Sequence, residues 1–384
     1  MRCAVASLVA ALALCGCAGG PGAGSAGGDR EDLGYYWQAA AGHLQMLHAA
    51  RPVADWLEDP ATPERLRARL QLAQRIRAFA SRELALPDNA SYRRYADLQR
   101  PAALWNVVAA PALSLTLRTW CFPVAGCVGY RGWFDEAGAR AEAQRLREAG
   151  WDATVYPVPA YSTLGWLNWA GGDPLLNTFI GYGEGELARL IFHELAHQVL
   201  YVKDDTAFNE SFATAVERLG VQAWLAREAG EGARAEYAAA SQRRDAFRAL
   251  VRATRQRLQA IYEAPVTGAG GGGATEAGAA RAGDSQDRLA RKAQVLADFR
   301  AQYAGLRAAW GGDPARLRPT DRWVEEANNA SFGAQAAYDD LVPAFEALFE
   351  REGRDWRRFF AAVKELARLA QPERQRALQA LAGG

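Results

Sequence analysis

The sequence predicts an α+β fold, mainly α, in which a small sheet precedes one buried helix and long helices follow that helix. Three observations lead to this class. Residues that favour helices (Ala, Leu, Arg, Glu and Gln) recur through most of the second half of the 384-residue chain. Short, proline-bounded segments rich in β-branched residues lie in the first half. The segment "LARLIFHELAHQVLYV" is apolar on almost every side, which indicates a buried helix.

The first residues of the chain are expected to lie outside the fold. Arg2 is followed by an apolar run over residues 4–14, which is too short to span a bilayer and is typical of a secretory signal. The run ends in "LCGC", which resembles a bacterial lipobox with Cys17 as the lipidated cysteine. We therefore predict a lipoprotein signal peptide over 1–16 and a flexible, glycine-rich tether over 17–32, with an ordinary cleaved signal as the alternative.

The residues after the lipidation site predict where the chain is held. Ala18 and Gly19 include no aspartate of the kind that retains lipoproteins in the inner membrane. We expect a lipid-anchored protein of the bacterial cell envelope, at the outer membrane and facing the periplasm. The formal net charge of +1, with both signs abundant, gives no electrostatic indication of nucleic-acid binding.

Two cysteines remain in the expected mature chain, Cys121 and Cys127, within "WCFPVAGCVGY". An exported protein can keep a disulfide, and Pro123 and Gly126 allow the short loop to turn. We therefore predict a disulfide between the two cysteines. The alternative is a pair of buried free thiols.

The elements can be assigned in order along the chain. A helical pattern runs from about residue 33 to 84, with Pro63 near the start of its clearest helix. "LWNVVAAP" and "LSLTLRTW" are predicted to be strands, and a helix follows from about residue 135 to 149, with Gly150 at its end. "WDATVYPVPAYSTLGW" indicates a strand that becomes a loop, and a second loop leads to the buried helix.

Residues 33–384 are predicted to form a single domain, because that length supplies ample apolar material for one core. A low-complexity stretch at about 266–287, "VTGAGGGGATEAGAARAGDSQD", is predicted to be disordered. Helical patterns flank it on both sides, so we interpret it as an insert between two helices. A domain boundary there is the alternative.

The buried helix contains the motif "FHELAH", which indicates a metal site. His193 and His197 are four residues apart, so they project side by side from a helix and can reach one cation. Around the helix axis, Glu194 lies close enough to the two histidines to reach a water at that cation without binding the cation itself. This is the arrangement of H-E-x-x-H zinc sites, in which the glutamate is the general base. A buried His/Glu hydrogen-bond network is the alternative.

A catalytic zinc ion needs a third protein ligand and an open position. "KDDTAF" predicts a break after the buried helix, with Asp205 or Thr206 as the cap of a second helix that ends at Leu219. If the second helix runs back along the first, Glu210 returns to the histidines, and we predict it as the third ligand. Asp204 and Asp205 are the alternative ligands, and their other role is capping.

Further residues are candidates for supporting the site. Asn209 and Glu217 could hold a ligating imidazole, although Glu217 could equally lie on a solvated helix face. Tyr161, Tyr182 and Tyr338 are candidates to donate to a tetrahedral oxyanion or to contact substrate. "AYSTLG" is either an edge strand for pairing with an extended peptide or a purely structural strand.

"NESFA" after "HELAH" resembles the gluzincin peptidases, in which Asn-Glu-x-x-Ala on a second helix supplies a glutamate ligand. Longer blocks across nearly the whole chain resemble a bacterial family of lipoproteins described as zinc aminopeptidases. These blocks include "SYRRYADLQRPAALWNV", "WCFPVAGCVGYRGWF", "AYSTLGWLNWAGGDPLLNT" and "NNASFGAQAAYDDLVPAF". The resemblance implies a zincin-like metallopeptidase fold, one zinc ion and peptidase activity.

One element of the better-known relatives is missing. Gluzincin aminopeptidases hold the free amine of the substrate with a Gly-x-Met-Glu-Asn element, and nothing in this sequence matches it. Glu184 and Glu186 in "GYGEGELA" either do that work or are first-turn acids of the buried helix.

Two functions are compatible with these patterns. The first is zinc-dependent hydrolysis of peptide bonds in the bacterial envelope, by an aminopeptidase that activates water through Glu194. The second is a non-catalytic envelope lipoprotein in which zinc braces two helices and the protein acts as a binding or assembly factor. The intact Glu194 favours the first, since a structural zinc site has no use for a base.

Overall fold

The computed structural model describes residues 28–122, 126–163, 165, 168, 171–265, 274–311, 314–335 and 341–382. The predicted signal peptide, Cys17 and Tyr338 lie outside these residues, and so does the predicted tether up to residue 27. Its last residues, 28–32, begin a helix, so the prediction of a tether is wrong there. The predicted insert lies outside them in part, and from Ala274 onward it belongs to a helix. No helix of the described segments combines the length and hydropathy needed to span a bilayer.

Most of the described chain is helical, which confirms the prediction of a mainly α, α+β protein. The helices before the metal motif are α1 (Gly28–Ala49), α2 (Val53–Glu58), α3 (Glu64–Glu83) and α4 (Glu136–Glu148). The motif itself lies on α5 (Glu184–Val199), and α6 (Thr206–Arg227), α7 (Glu231–Glu263) and α8 (Ala274–Trp310) follow. The last described helices are α9 (Pro314–Glu326), α10 (Asn329–Gln335), α11 (Val342–Arg351), α12 (Trp356–Arg368) and α13 (Gln371–Ala382).

The described strands form small sheets that precede α5, as predicted. In the main sheet β3 (Leu104–Pro111) lies between β6 (Arg131–Trp133) and β7 (Trp151–Val158), and both pairs are antiparallel. A second sheet has the order β1 (Arg51–Pro52), β2 (Arg94–Ala96), β8 (Leu175–Leu176). The strands β4 (Trp120–Phe122) and β5 (Gly126–Val128) pair with each other, and the Cys121–Cys127 disulfide joins them.

The predicted strand over "LSLTLRTW" is wrong apart from its last residue, since Trp120 begins β4. The chain turns directly after β3, where the Ser114 N–H donates to the Pro111 carbonyl. Leu115 and Leu117 then pack in two different apolar clusters. The alternation of apolar residues therefore belongs to a loop that contacts two cores.

The second helix does not end at Leu219, as predicted, but continues to Arg227. Gly220 lies inside it, where a Cβ atom would come within 2.9 Å of both Leu84 Cδ1 and Phe192 Cδ2. The glycine therefore allows α6 to approach α5 and the end of α3 closely. A glycine needed for packing has the same sequence signature as a helix cap.

The helix pair α5 and α6 lies in the largest apolar core of the described chain. On α5 the buried apolar residues are Leu187, Ala188, Ile191, Phe192, Leu195 and Ala196. On α6, Phe208 and Phe212 pack against Phe345 of α11. These contacts fix the two helices against each other, so that polar side chains on their facing sides are held close together.

Candidate metal centre

Three side chains from α5 and α6 converge on one point. The Nε2 atoms of His193 and His197 lie 3.2 Å apart, and Glu210 Oε2 lies 3.3 Å from the first and 3.8 Å from the second. The imidazole planes are nearly perpendicular, at 85°. The possible ligand atoms of the three residues all lie within 4.8 Å of one another, so this group, the ligand cluster, could hold a metal ion.

The break between α5 and α6 brings Glu210 back to the histidines. Asp205 caps α6, because its Oδ1 accepts from the Phe208 N–H at 3.1 Å. The Asn209 side chain bridges the break by accepting from the Val202 N–H at 2.8 Å and donating to the Val202 carbonyl at 2.7 Å. The Asn209 side chain therefore binds the backbone between α5 and α6. None of its described hydrogen bonds is to an imidazole.

Asp204 and Asp205 lie outside the ligand cluster. Asp204 Oδ1 accepts from the Cys127 N–H at 2.6 Å, which connects the disulfide-bonded strands to the break. Asp205 Oδ2 accepts from Arg374 Nη2 at 2.6 Å and from Nε at 3.0 Å, in a pair that is almost fully buried. Both aspartates therefore hold the chain that leads into α6.

Glu217 holds the second ring nitrogen of His193. Its Oε2 lies 3.0 Å from His193 Nδ1, and its Oε1 accepts from Arg189 Nη1 at 2.7 Å. Arg189 also pairs with Glu186, which accepts from Arg244 Nη1 at 2.6 Å. Glu217 is 4% exposed, so it does not lie on a solvated face. A carboxylate at Nδ1 selects the tautomer in which Nε2 is free to bind a cation.

Charge is distributed unevenly within the cluster. Burial disfavours the charged form of His193, but hydrogen bonds to Glu210 and Glu217 outweigh it and raise the pKa of His193 to about 10. Burial likewise disfavours charge on Glu217, yet Arg189 and His193 lower its pKa to about 2. For His197, burial dominates and lowers the pKa to about 4. The carboxylates thus favour one positive charge here, which fits a bound cation.

Glu194 lies beside the ligand cluster in a partly buried position. Burial raises the pKa of its carboxyl to about 7, and Glu210 adds to this while His193 opposes it. The Ser162 hydroxyl donates to Glu194 and also lies 3.5 Å from Asp173 Oδ2. A carboxyl group that titrates near neutral pH can both accept a proton and give it back.

Tyr130 is a residue of this site that no sequence motif indicated. Burial raises the pKa of its phenol well above the usual value, and Glu210 and, to a smaller extent, Glu194 raise it further. The phenol is therefore close enough to Glu210 and Glu194 to interact with both carboxylates electrostatically. Its one sequence signal is its place in the block "WCFPVAGCVGYRGWF", far along the chain from "HELAH".

The predicted tyrosines have other surroundings. Tyr161 packs its ring against His43 and Phe134. Tyr182 is 39% exposed and lies just before α5, and Tyr338 is outside the described residues. The described part of "AYSTLG" is a loop, so its prediction as a strand is wrong. The backbone N–H and the hydroxyl of Thr163 both donate to the buried Asp173, and these hydrogen bonds draw the segment away from a sheet ladder.

Glu184 and Glu186 both lie in the first turn of α5. Glu184 Oε1 accepts from Trp224 Nε1 at 3.0 Å, and Glu186 pairs with Arg189 and Arg244. The described contacts of both glutamates therefore hold the start of α5 to its neighbouring helices. Acids in the first turn also suit the helix dipole.

A family model described as "Putative aminopeptidase" matches residues 34–378 of the chain. The matched range extends from α1 to α13 and contains every residue of the ligand cluster. No curated protein and no solved structure matches the chain. The family match therefore covers both the described fold and the site within it.

Proposed function

The chain belongs to the family described as "Putative aminopeptidase", and we propose that it hydrolyses peptide bonds in the bacterial envelope with one zinc ion. The family match supports peptidase activity and hence a peptide substrate. The observation that carries the zinc part of the proposal is the ligand cluster of His193, His197 and Glu210, with Glu194 partly buried beside it.

The ligand cluster fits zinc by its kinds of donor atom. Catalytic zinc sites use three protein ligands, among them sets of two imidazoles and one glutamate, and keep a fourth position open. His193, His197 and Glu210 offer that set from two packed helices. Because a ligating imidazole is neutral, the cation would replace the proton that the carboxylates favour at His193.

A zinc ion bound there would supply a Lewis acid that polarises the substrate carbonyl and makes water easier to deprotonate. Glu194 is the general base: its carboxylate takes a proton from the attacking water and then passes it to the leaving amine. Burial supports both steps, because it keeps the pKa of Glu194 near neutrality. The hydrogen bond from Ser162 orients the carboxylate for them.

Tyr130 takes the role that was expected of Tyr161, Tyr182 or Tyr338. A tetrahedral adduct places negative charge on the former carbonyl oxygen, and a hydrogen-bond donor at that oxygen stabilises it. The raised pKa of the Tyr130 phenol keeps it protonated at neutral pH, so that it can donate. Its electrostatic interaction with Glu210 and Glu194 supports this assignment.

We also propose that the protein is anchored by lipid at Cys17, at the outer membrane and facing the periplasm. Two observations support this location. The sequence begins with a signal-like apolar run that ends in "LCGC". The structure contains the Cys121–Cys127 disulfide, and disulfides persist in exported proteins.

The proposed function is tested by zinc content and peptide cleavage of the purified protein. We expect one zinc ion per chain, cleavage of members of a mixed peptide library, loss of cleavage on chelation and recovery on adding zinc. Sequencing of the products distinguishes stepwise removal of N-terminal residues, as expected for an aminopeptidase, from internal cleavage. A fully zinc-loaded protein that cleaves no peptide would instead be the zinc-braced binding or assembly factor.

A further inference from the structure

A cavity of about 390 Å³ opens beside β7 and is lined by residues of α7, α9 and α10. Its apolar wall consists of Tyr156, Pro157, Phe247, Pro319, Trp323 and Ala334. Pro157 and Pro319 are exposed, so the cavity is open to solvent. Its volume is in the range of pockets that bind small molecules or substrate side chains.

The wall of this cavity suits an uncharged, apolar group. Phe247 and Trp323 meet edge to face, with ring centroids 5.4 Å apart. Arg322 and Glu326, the charged residues among its described lining, pair with each other at 3.0 Å. A side chain entering the cavity would therefore exchange water for aromatic carbon, which favours an apolar group and disfavours an ion.

Tyr156 connects the cavity to the metal centre. The residue lines the cavity, and its hydroxyl accepts from Asn106 Nδ2 at 3.2 Å. Tyr156, Tyr130 and Ala334 pack on the same small apolar cluster. The Glu210 carboxylate interacts electrostatically with the Tyr130 phenol, and it also raises the pKa of Tyr156. The wall formed by β7 is thus connected to the ligand cluster through the packing of Tyr156 with Tyr130 on that apolar cluster.

A second wall of the cavity, formed by α7, is connected to the metal centre by ion pairs. Arg244 of α7 donates to Glu186 of α5, which pairs with Arg189 beside Glu217. Phe247 follows Arg244 by about one helical turn and lines the cavity. The cavity is therefore bounded on two sides by elements that also hold residues of the site.

We propose that this cavity binds a large apolar side chain of the peptide substrate, aromatic or branched aliphatic, close to the cleaved bond. The proposal rests on the proposed peptidase function and names the substrate class. The larger cavity of about 580 Å³ is not the candidate, because it lies along α4 and is lined by Arg140, Gln144 and Arg147. Val155, which it shares, packs in the apolar cluster under α4.

The substrate class is tested with peptides that vary one residue at a time on either side of the cleaved bond. At one of these positions, we expect kcat/KM for Phe or Leu to exceed that for Ala, Lys or Asp by about 10- to 200-fold. Equal kcat/KM across the five residues at both positions would overturn the proposal while leaving the peptidase function intact.

Two variants fill the cavity from different elements. Ala334→Phe adds a ring beside Tyr156, and Thr320→Trp adds one from the half-exposed side of α9. In each, we expect the ratio of kcat/KM for Phe or Leu peptides to kcat/KM for Ala peptides to fall towards one. Ala301→Phe, on an exposed position of α8, is the matched control and should keep the wild-type preference. Unchanged preference in both filled variants contradicts the proposal.

A binding measurement tests the cavity independently of the peptidase activity. L-phenylalaninamide should protect amides of residues 314–335 from hydrogen exchange in the wild type, and L-lysinamide should not. The protection should be absent in Thr320→Trp. If no peptide is cleaved, the proposed peptidase function is wrong. The hydrogen-exchange measurement then still tests whether the cavity binds an apolar side chain. Absence of protection in the wild type would overturn the cavity proposal.

Discussion

His193 is held at both ring nitrogens by carboxylates, Glu210 at Nε2 and Glu217 at Nδ1. Arg189 keeps Glu217 charged by donating to its other oxygen. The ring can therefore take one orientation, with Nε2 directed at His197. An imidazole that is oriented before the metal arrives loses less entropy on binding, and its basicity is increased by the carboxylate behind it.

Glu217→Ala should lower zinc affinity by about 10- to 100-fold, as loss of such partners does in other metal sites. It removes the acceptor at His193 Nδ1 and leaves the Arg189 charge without its closest partner. Competition with a fluorescent zinc chelator measures the change. Glu365→Ala, at an exposed position, is the control and should bind zinc as the wild type does. Equal zinc affinity in the two variants would show that Glu217 does not support zinc binding through His193.

In the chelated protein, stability should fall as the pH rises from about 7 to about 10. His193 has a folded-state pKa of about 10 against an ordinary value of 6.5, so the folded chain keeps a proton that the unfolded chain loses. That stabilisation is complete below pH 6.5 and disappears as the pH approaches 10. Thermal unfolding across this range measures it, and His193→Phe should remove this part of the slope. A wild-type Tm that does not fall would contradict the charge distribution of the site.

The residues of the motif could be predicted because helical rotation depends on spacing alone. His193 and His197 must lie side by side on any helix, and a reversal after "KDD" must return some acid to them. Tyr130 and Ser162 could not be predicted in the same way. They reach the site from loops far along the chain, and their positions depend on the packing of the sheet against α5 and α6.

At the scale of elements, the start of α6 is held by the last described helix. Arg374 of α13 donates twice to Asp205, the N-cap of α6, and also to the carbonyl of Leu369 at the end of α12. Arg374 and Asp205 are each about 5% exposed. Because Glu210 lies about one turn after this cap, the C-terminal helices help to place a residue of the ligand cluster.

Arg374→Met should destabilise the protein by about 3–5 kcal/mol, the usual cost of leaving one charge of a buried pair without its partner. Asp205 would then be buried as an unpaired carboxylate, and the double variant Asp205→Asn/Arg374→Met should recover part of the loss. Urea unfolding measures both. Arg368→Met, at an exposed arginine of α12, is the control and should change little. A small effect of Arg374→Met would show that the cap of α6 does not need α13.

Element boundaries were predictable where a local signal determined them. The α5–α6 break follows from "KDD", and Asp205 is the cap. The segment "LSLTLRTW" has the composition of a strand, but its leucines pack into separate cores, and within the described chain only its last residue, Trp120, belongs to a sheet. Gly220 likewise resembles a helix end, although its role is set by the side chains of two other helices. Tertiary contacts decided both cases.

At the scale of the whole molecule, the site joins parts of the chain that are far apart in sequence. Tyr130 comes from the sheet region, Ser162 from the loop before β8, the ligands from α5 and α6, and the support of Asp205 from α13. The family match over residues 34–378 includes all of them. The mainly helical class with a small sheet before α5 could be predicted from composition and pattern, whereas this convergence could not.

The role of Glu194 as the general base of a zinc peptidase is tested most directly by comparing the zinc-loaded wild type with Glu194→Gln. Zinc content and peptide turnover are measured in the same samples. Gln keeps the shape of the side chain and removes its ability to accept a proton. We expect one zinc ion per chain in both proteins and a kcat lower by about 10²- to 10⁴-fold in the variant. Equal turnover at equal zinc content would contradict this role, because Glu194 would then not be the base.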